Sequence, residues 1–158
     1  MIRPATPADV NDLIRFRVLM FEAMGTAQTD LAAPKWLAAT RAWFEKVLAR
    51  DDACILVAEV EGQVVSCGVG EVKHIGPSPG CPNGLAGVIN NIVTDVEARG
   101  QGWGRRITED LVDWFDTETD ARRVDLYATP DGARIYRDLG FTEHAFPAMQ
   151  RPSPPRAR

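Results

Sequence analysis

The run Arg99-Gly100-Gln101-Gly102-Trp103-Gly104 is the part of this chain best suited to chemistry. Glycines at alternate positions let the backbone bend tightly. The residues that follow, Ile107, Leu111, Trp114 and Phe115, fall at i, i+4, i+7 and i+8, the spacing of a helix with one apolar face. A bent loop that opens a helix turns N–H groups outward with no carbonyl to receive them, at the positive end of the helix dipole. Such a turn can cradle a phosphate, and Arg99, Arg105 and Arg106 beside it can add charge-assisted contacts. The same residues also fit a plain flexible turn ahead of a solvated basic helix. Spacing disfavours two nucleotide-binding patterns. A Walker loop needs Gly-Lys followed by Ser or Thr where this chain has Gly104-Arg105-Arg106. The dinucleotide fingerprint G-x-G-x-x-G is replaced by G-x-G-x-G, and the loop follows a fourth or fifth strand instead of opening the first βα unit.

Other reactive side chains are sparse. Cys54, Cys67 and Cys81 are odd in number and widely spaced, which suits reduced thiols, and with His74 and His144 the only histidines no metal-ligand spacing can be drawn. No metal is expected. Cys67 or Cys81 with His74 would make a nucleophile and base, but an orienting third group and a strained nucleophile turn are both missing. Glu71 and His74 lie near the end of one expected strand, and Asn90-Asn91 in the next. Each has a plainer reading: a solvated strand residue, an exposed loop histidine, two polar residues at a strand kink. If strand alternation holds, Asn91 points to the face opposite Asn90.

The elements that must position these groups can be read along the chain. Thr6-Pro7-Ala8-Asp9 reads as a helix start, followed by a stripe of Val10, Leu13, Ile14, Val18 and Phe21 up to Gly25. A second helix begins near Pro34, with Trp36, Thr40, Trp43, Phe44, Val47 and Leu48 on one face, so that Trp36 and Trp43 read as core in preference to an acceptor platform. Between the two helices, Gly25 to Ala33 could shape a substrate mouth. Ala53 to Val60 and Val64 to Lys73 form a hairpin about Glu61-Gly62-Gln63. A loop runs from His74 to Gly87, long enough to suspect a function. A strand from Val88 to about Thr94, the glycine loop and its helix, a strand from Val124 to Ala128, a short helix from Pro130 to Leu139 and an extended piece from Phe141 complete the order. The expected fold is one α/β domain over residues 1–150 with a mixed, mainly antiparallel sheet. Its strands from Val88 and Val124, joined by a crossover helix, run parallel. About four helices flank it, and residues 151–158 form a basic, proline-rich tail expected to be disordered.

A chain of 158 residues with 45% apolar side chains can bury a full core. Its longest apolar run, Ala53 to Ala58, is far short of a membrane span, and no apolar stretch follows Met1-Ile2-Arg3-Pro4-Ala5 as in a secretory signal, so a cytoplasmic protein without membrane partners is expected. With 18 basic against 22 acidic residues, bulk nucleic-acid binding is disfavoured and a cationic small partner fits better.

Three segments resemble one family. Arg99 to Gly104 is similar to the Q/R-x-x-G-x-G/A signature of the GNAT N-acetyltransferases, Ile135-Tyr136-Arg137-Asp138-Leu139-Gly140-Phe141 resembles that family's L-Y-x-x-x-G-F segment one βα unit later, and Ile2 to Asp9 is similar to its usual opening. The resemblance covers residues 1 to 150. It implies two splayed central parallel strands with coenzyme A wedged between them. Main-chain groups of Ile92, Val93 and Thr94 would then hold the pantetheine arm, and Arg99, Gly100, Gln101, Gly102, Trp103, Gly104 and Arg105 the pyrophosphate. Trp103 would either cover the coenzyme or pack on a helix.

The family's chemistry is direct attack of a neutral amine on the thioester of acetyl-CoA, which needs an amine without its extra proton, a dipole for the developing oxyanion and a proton for the departing sulfur. The resemblance assigns Tyr136 to that last role. Relatives often carry a carboxylate at the positions of Val88 and Asn90. Here Asn90 can only orient a water or the amine, leaving Glu71 or His74 to take a proton through water, or no base at all for an acceptor of low pKa. Thr129 stands where the family often has a coenzyme-contacting Asn, and also reads as a helix cap ahead of Pro130. The expected activity is acetyl transfer to a small-molecule or peptide amine, with polyamines, aminoglycosides and amino acid derivatives all admissible. A coenzyme-A-binding module with reduced catalysis is the alternative. A homodimer is compatible with the resemblance.

Overall fold

The computed structural model describes residues 1–152; the expected disorder of the tail falls almost wholly on residues outside these. Met1–Tyr127 forms one compact unit and a smaller one starts at Ala128, and each is described by itself.

In the larger unit the sheet order is β1 (Ile2–Pro4), β2 (Ala53–Val60), β3 (Gln63–His74), β4 (Leu85–Thr94) and β5 (Val124–Leu126). The first three junctions are antiparallel and the last is parallel. The β2–β3 turn holds Glu61 and Gly62 both at positive φ, 50° and 78°, the conformation whose twist matches a two-residue hairpin. One face of the sheet packs on α1 (Val10–Ala23) and α3 (Pro34–Leu48), through Leu13, Phe16, Phe44 and Val47 against Ile55, Val57, Cys67, Val69 and Val93. The other face packs on α4 (Trp103–Glu118), whose buried Ile107, Leu111 and Phe115 sit over glycines 68, 70 and 87. A short helix, α2 (Gln28–Leu31), occupies the connection read from sequence as a possible mouth, and its Leu31 is buried.

The chain enters α1 through a 3-10 turn at Pro7–Asp9, where the Asp9 carboxylate accepts the Thr6 N–H at 2.7 Å and a two-pronged contact from Arg3 at 2.9 Å. That guanidinium, more than burial opposes it, holds the Asp9 carboxyl down at about 2. No helix among the described residues is long and apolar enough to cross a membrane.

The smaller unit holds α5 (Ala133–Asp138). Thr129 does not stand at its N-cap, which is Gly132; it closes the turn before it, with Oγ1 accepting the Gly132 N–H at 3.3 Å and its carbonyl accepting the Ala133 N–H at 2.9 Å. The extended piece expected from Phe141 is not a strand: among the described residues nothing after α5 pairs into a sheet. The run is exposed from Thr142 on, and Pro147 and Pro152 each remove an N–H that a sheet ladder would use.

Candidate functional site

The expected splay is visible in the strand register. β5 pairs with β4 only at Gly87–Ile89, while β4 continues to Thr94. From Asn90 on, the β4 edge that faces away from β3 has no strand partner among the described residues. Ile92, Val93 and Thr94 lie on that stretch.

Just beyond it the glycine loop opens α4. Gly100 and Gly102 sit at φ 76° and 80°, the left-handed region that glycine enters without strain, and a Cβ at either would meet nothing within 4 Å. Gly102 is the N-cap, and the Arg106 N–H to Gly102 carbonyl bond at 3.1 Å closes the first turn. The N–H groups of Trp103 and Gly104 therefore precede any intrahelical acceptor. Trp103 packs within its own helix: its ring lies 3.9 Å from the Arg106 guanidinium carbon, and its Nε1 donates to Gln101 Oε1 at 3.3 Å. Arg106 reaches back to the Gln101 carbonyl at 2.8 Å, Arg99 to the Thr94 carbonyl at 3.3 Å, and Arg105 to Glu109 at 3.0 Å. Open glycines, helix-end donors and surrounding cations form a donor set that fits a diphosphate, and the unpaired β4 edge fits an amide-bearing arm.

The strand residues diverge from the sequence expectation at one place. Cys67 pairs with Val93 and Val69 with Asn90, so three steps in β4 oppose two in β3: a β-bulge. Asn91 takes up the extra residue at φ 55°, a conformation asparagine tolerates better than most side chains. Alternation fails at the bulge, and Asn91 does not point away from Asn90. Asn90 Nδ2 donates to Glu71 Oε2 at 3.3 Å and Asn91 Nδ2 to Cys67 Sγ at 3.4 Å, and Cys67 and Glu71 lie on one face of β3. On the other face, Ile92 drops onto Gly68, where a Cβ would come within 2.5 Å of it.

Glu71 is 3% exposed, yet its carboxyl is held below the usual range: burial works to raise it, and Lys73 and Arg50, both at 2.8 Å from Oε1, outweigh burial. Asn90 Oδ1 is buried with no hydrogen-bond partner among the described residues. Leaving such an acceptor unpaired costs about 1–3 kcal/mol, so the position is suited to an incoming donor. Sequence reasoning missed Arg17 altogether. Its Nη1 donates to Asn91 Oδ1 at 3.2 Å from a slot between Phe21 and Trp43. The one available signal was an arginine set among the apolar positions of α1.

His74 is not brought to this group. It is exposed at the end of β3, where it lines a separate cavity of about 280 Å³ with Asp51, Asp52, Glu118 and Asp120. Cys67 is fully buried, and burial pushes its thiol up to about 12, so it offers no thiolate at neutral pH. Cys81 is buried in the β3–β4 loop with its thiol donating to the Leu85 carbonyl at 3.2 Å. In the smaller unit, Tyr136 on α5 is half-buried, with its ring edge-on to Phe141 at 6.1 Å between centroids. Burial raises its phenol above the ordinary value, which keeps it protonated at neutral pH.

A parallel pair that parts beside a glycine-capped helix is what the sequence resemblance implies for an acyl-coenzyme-A-dependent transferase, and comparison with known proteins agrees on the family. Residues 51–143, more than half of the chain, match the family model described as the acetyltransferase (GNAT) domain. This chain belongs to the GNAT acetyltransferases, the N-acetyltransferases that use acetyl-CoA. No curated protein sequence gave a match. Among solved structures, the chain is similar to a GCN5-related N-acetyltransferase from Ralstonia eutropha JMP134, at TM-score 0.85 and 24% identity over 97% of each chain. It is also similar to a predicted acetyltransferase from Clostridium acetobutylicum solved with acetyl-CoA, at TM-score 0.84 and 19% identity over 96% of this chain and 95% of that one. A third likeness is to glucosamine-6-phosphate N-acetyltransferase from Arabidopsis thaliana, at TM-score 0.69 and 21% identity over 96% and 97%. At these identities the likeness concerns the fold.

Proposed function

We propose that this chain acetylates a primary amine of a small molecule, by direct attack of the amine on the thioester of acetyl-CoA. The observation that carries the reading is the parting of β4 from β5 after Ile89, in line with the open start of α4. Main-chain groups of Ile92 to Thr94 take the pantetheine arm, and the turn from Gly100 to Gly104 takes the pyrophosphate, with Arg99 and Arg105 adding positive charge. Bound acetyl-CoA supplies an activated acyl carbon. The amine nitrogen forms the new C–N bond and loses a proton, the C–S bond breaks, and the sulfur takes up a proton. Tyr136, which stays protonated at neutral pH, is the donor to that sulfur; its place in the Ile135–Phe141 motif supports this role.

The polar cluster supports a division of labour on the acceptor side. Both Glu71 oxygens are engaged, one by two cations and one by Asn90, so Glu71 is a poor recipient for a further proton. It acts instead as a positioning residue: by accepting from Asn90 Nδ2 it turns Asn90 Oδ1 away, as an acceptor for the amine N–H. The amine's proton then passes to solvent, and His74 takes no part. That Asn90 stands in place of a carboxylate favours, as a second reading, a coenzyme-A-binding module with reduced catalysis.

Calorimetry and free-thiol release separate the two. Titration with acetyl-CoA gives heat under both, and only the enzyme releases thiol when a pool of amines is added. Tyr136→Phe lowers turnover about tenfold or more, a loss of about 1.4 kcal/mol of transition-state stabilisation, with acetyl-CoA affinity little changed. Unchanged turnover removes Tyr136 from the chemistry, and absence of heat with acetyl-CoA overturns the whole reading.

A further inference from the structure

Arg17 is a half-buried guanidinium that feels the Glu71 charge at longer range, but no carboxylate stands within ion-pair distance of it among the described residues. Its carbon centre lies 5.2 Å from the Phe21 ring centroid and 4.8 Å from that of Trp43, and its one hydrogen bond goes to the neutral amide of Asn91. The other cations around this cluster are matched: Arg50 by Asp52 and Glu71, Lys73 by Glu71, and Arg15 by Asp12 and Asp95. Aromatic faces compensate a cation in part, but a fork of five N–H donors with one taken is built for a planar anion.

We propose that Arg17 anchors an anionic group on the acceptor, so that the amine this enzyme acetylates also carries a carboxylate or a phosphate. The proposal rests on the acetyltransferase reading above. Its geometry comes from the bulge. Asn90 presents its orphaned oxygen to the amine, and Asn91, the next residue, receives Arg17, so amine and anion are recognised at adjacent positions of one strand. A compact molecule bearing both groups, such as an amino acid or an amino-alcohol phosphate, satisfies the two at once. The charge balance argues the same way. Glu71 is already engaged by Arg50 and Lys73, so among the described residues of this cluster it offers no free carboxylate to the second ammonium group of a polyamine or an aminoglycoside.

The test uses the full-length protein and paired amines: amino acids against their carboxamides, and phosphoethanolamine against ethanolamine. Thiol release is read as kcat/KM for each member. The expected result is that the anionic member of at least one pair is preferred by about tenfold or more, the range of a charge-assisted contact, and the pair that shows it identifies the anion as carboxylate or phosphate. In Arg17→Met, which keeps an apolar stem between Phe21 and Trp43, that preference collapses towards one, mainly through KM. Arg17→Lys, which keeps the charge without the planar fork, retains part of it. Acetyl-CoA titration shows that both variants are folded. Acetylation of both members at equal rates, or a preference that survives Arg17→Met, overturns the anchor and leaves the transferase reading intact. Acetyl-CoA binding with no amine acetylated overturns the transferase reading, and the anchor falls with it.

Discussion

Strand β3 shows α4 two glycines, Gly68 and Gly70, while towards α1 and α3 it turns Cys67, Val69 and Glu71. On the first face the helix lies so close that a Cβ at Gly68 would stand 2.5 Å from Ile107 Cγ2, and one at the neighbouring Gly87 of β4 would stand 2.6–2.9 Å from three atoms of the Phe115 ring. The second face mixes apolar core with polar groups. It holds a buried carboxylate, an unpaired amide oxygen and a guanidinium between two aromatic rings. The contrast separates two uses of one sheet. Close contact with α4 fixes the start of that helix beside the unpaired edge of β4, whereas the polar groups on the opposite face are the ones proposed above to meet the acceptor.

The strongest test of the closed face is Gly87→Ala. Replacing a strand glycine usually stabilises, because the unfolded chain loses freedom. Here the added methyl meets a rigid ring in a packed core, so the sign reverses and the variant is destabilised by about 1–3 kcal/mol, read as a lower denaturant midpoint at unchanged slope. A midpoint equal to or above that of the parent would mean that α4 stands off the sheet and that the contrast between faces is unfounded.

That closeness was hard to see in the sequence, and the reason is general. The hairpin bounds, the α3 start at Pro34 and the helix after Gly102 are local signals, and each lies within a residue or two of its expected place. The glycine loop was legible for the same reason. The pairing of Glu71 with Arg50 joins residues 21 apart in sequence, and Arg17 meets Asn91 across 74, so neither leaves a local trace. The bulge had one weak trace. Two adjacent asparagines in a β-branched strand cannot both obey alternation without exposing one, and the chain escapes by inserting a left-handed residue at Asn91. Assuming a regular period of two sent Asn91 to the wrong face. Glycines 68, 70 and 87 carried no sign of which helix approaches them.

Glu71→Gln probes the face towards α1 and α3 and has a smaller effect on stability. Removing the carboxylate leaves Arg50 and Lys73 without it, but their side chains are 28% and 44% exposed and water takes up much of the loss, so about 1–2 kcal/mol is expected. Because the folded carboxyl is held below its unfolded value of about 4.3, its contribution is present above that pH and disappears as pH falls through the folded value. Stability curves of parent and variant therefore converge in acid. A structural counterion would show only this. A residue that orients Asn90 also lowers kcat at saturating acceptor while acetyl-CoA affinity holds, and an unchanged kcat would reduce Glu71 to a counterion.

The smallest effect belongs to Cys67, although it lies against the bulge itself. Its thiol accepts from Asn91 Nδ2 at 3.4 Å and donates to the Asn91 carbonyl at 3.5 Å, weak bonds made by a soft atom. Burial raises the thiol to about 12, so the nucleophilic thiolate is scarcely formed near neutral pH, and His74, which would have to serve as its base, is exposed at the far end of β3. Cys67→Ala therefore removes one buried sulfur and no chemistry. It is expected to lower stability by about 1 kcal/mol and to leave kcat within about twofold, a change of about 0.4 kcal/mol in the barrier. Loss of thiol release in this variant, with acetyl-CoA still bound, would reinstate a cysteine nucleophile and transfer the chemistry from the acceptor's amine to the enzyme's own sulfur. Retained activity is the outcome consistent with the proposal that Asn90 and Arg17, and not Cys67, meet the acceptor.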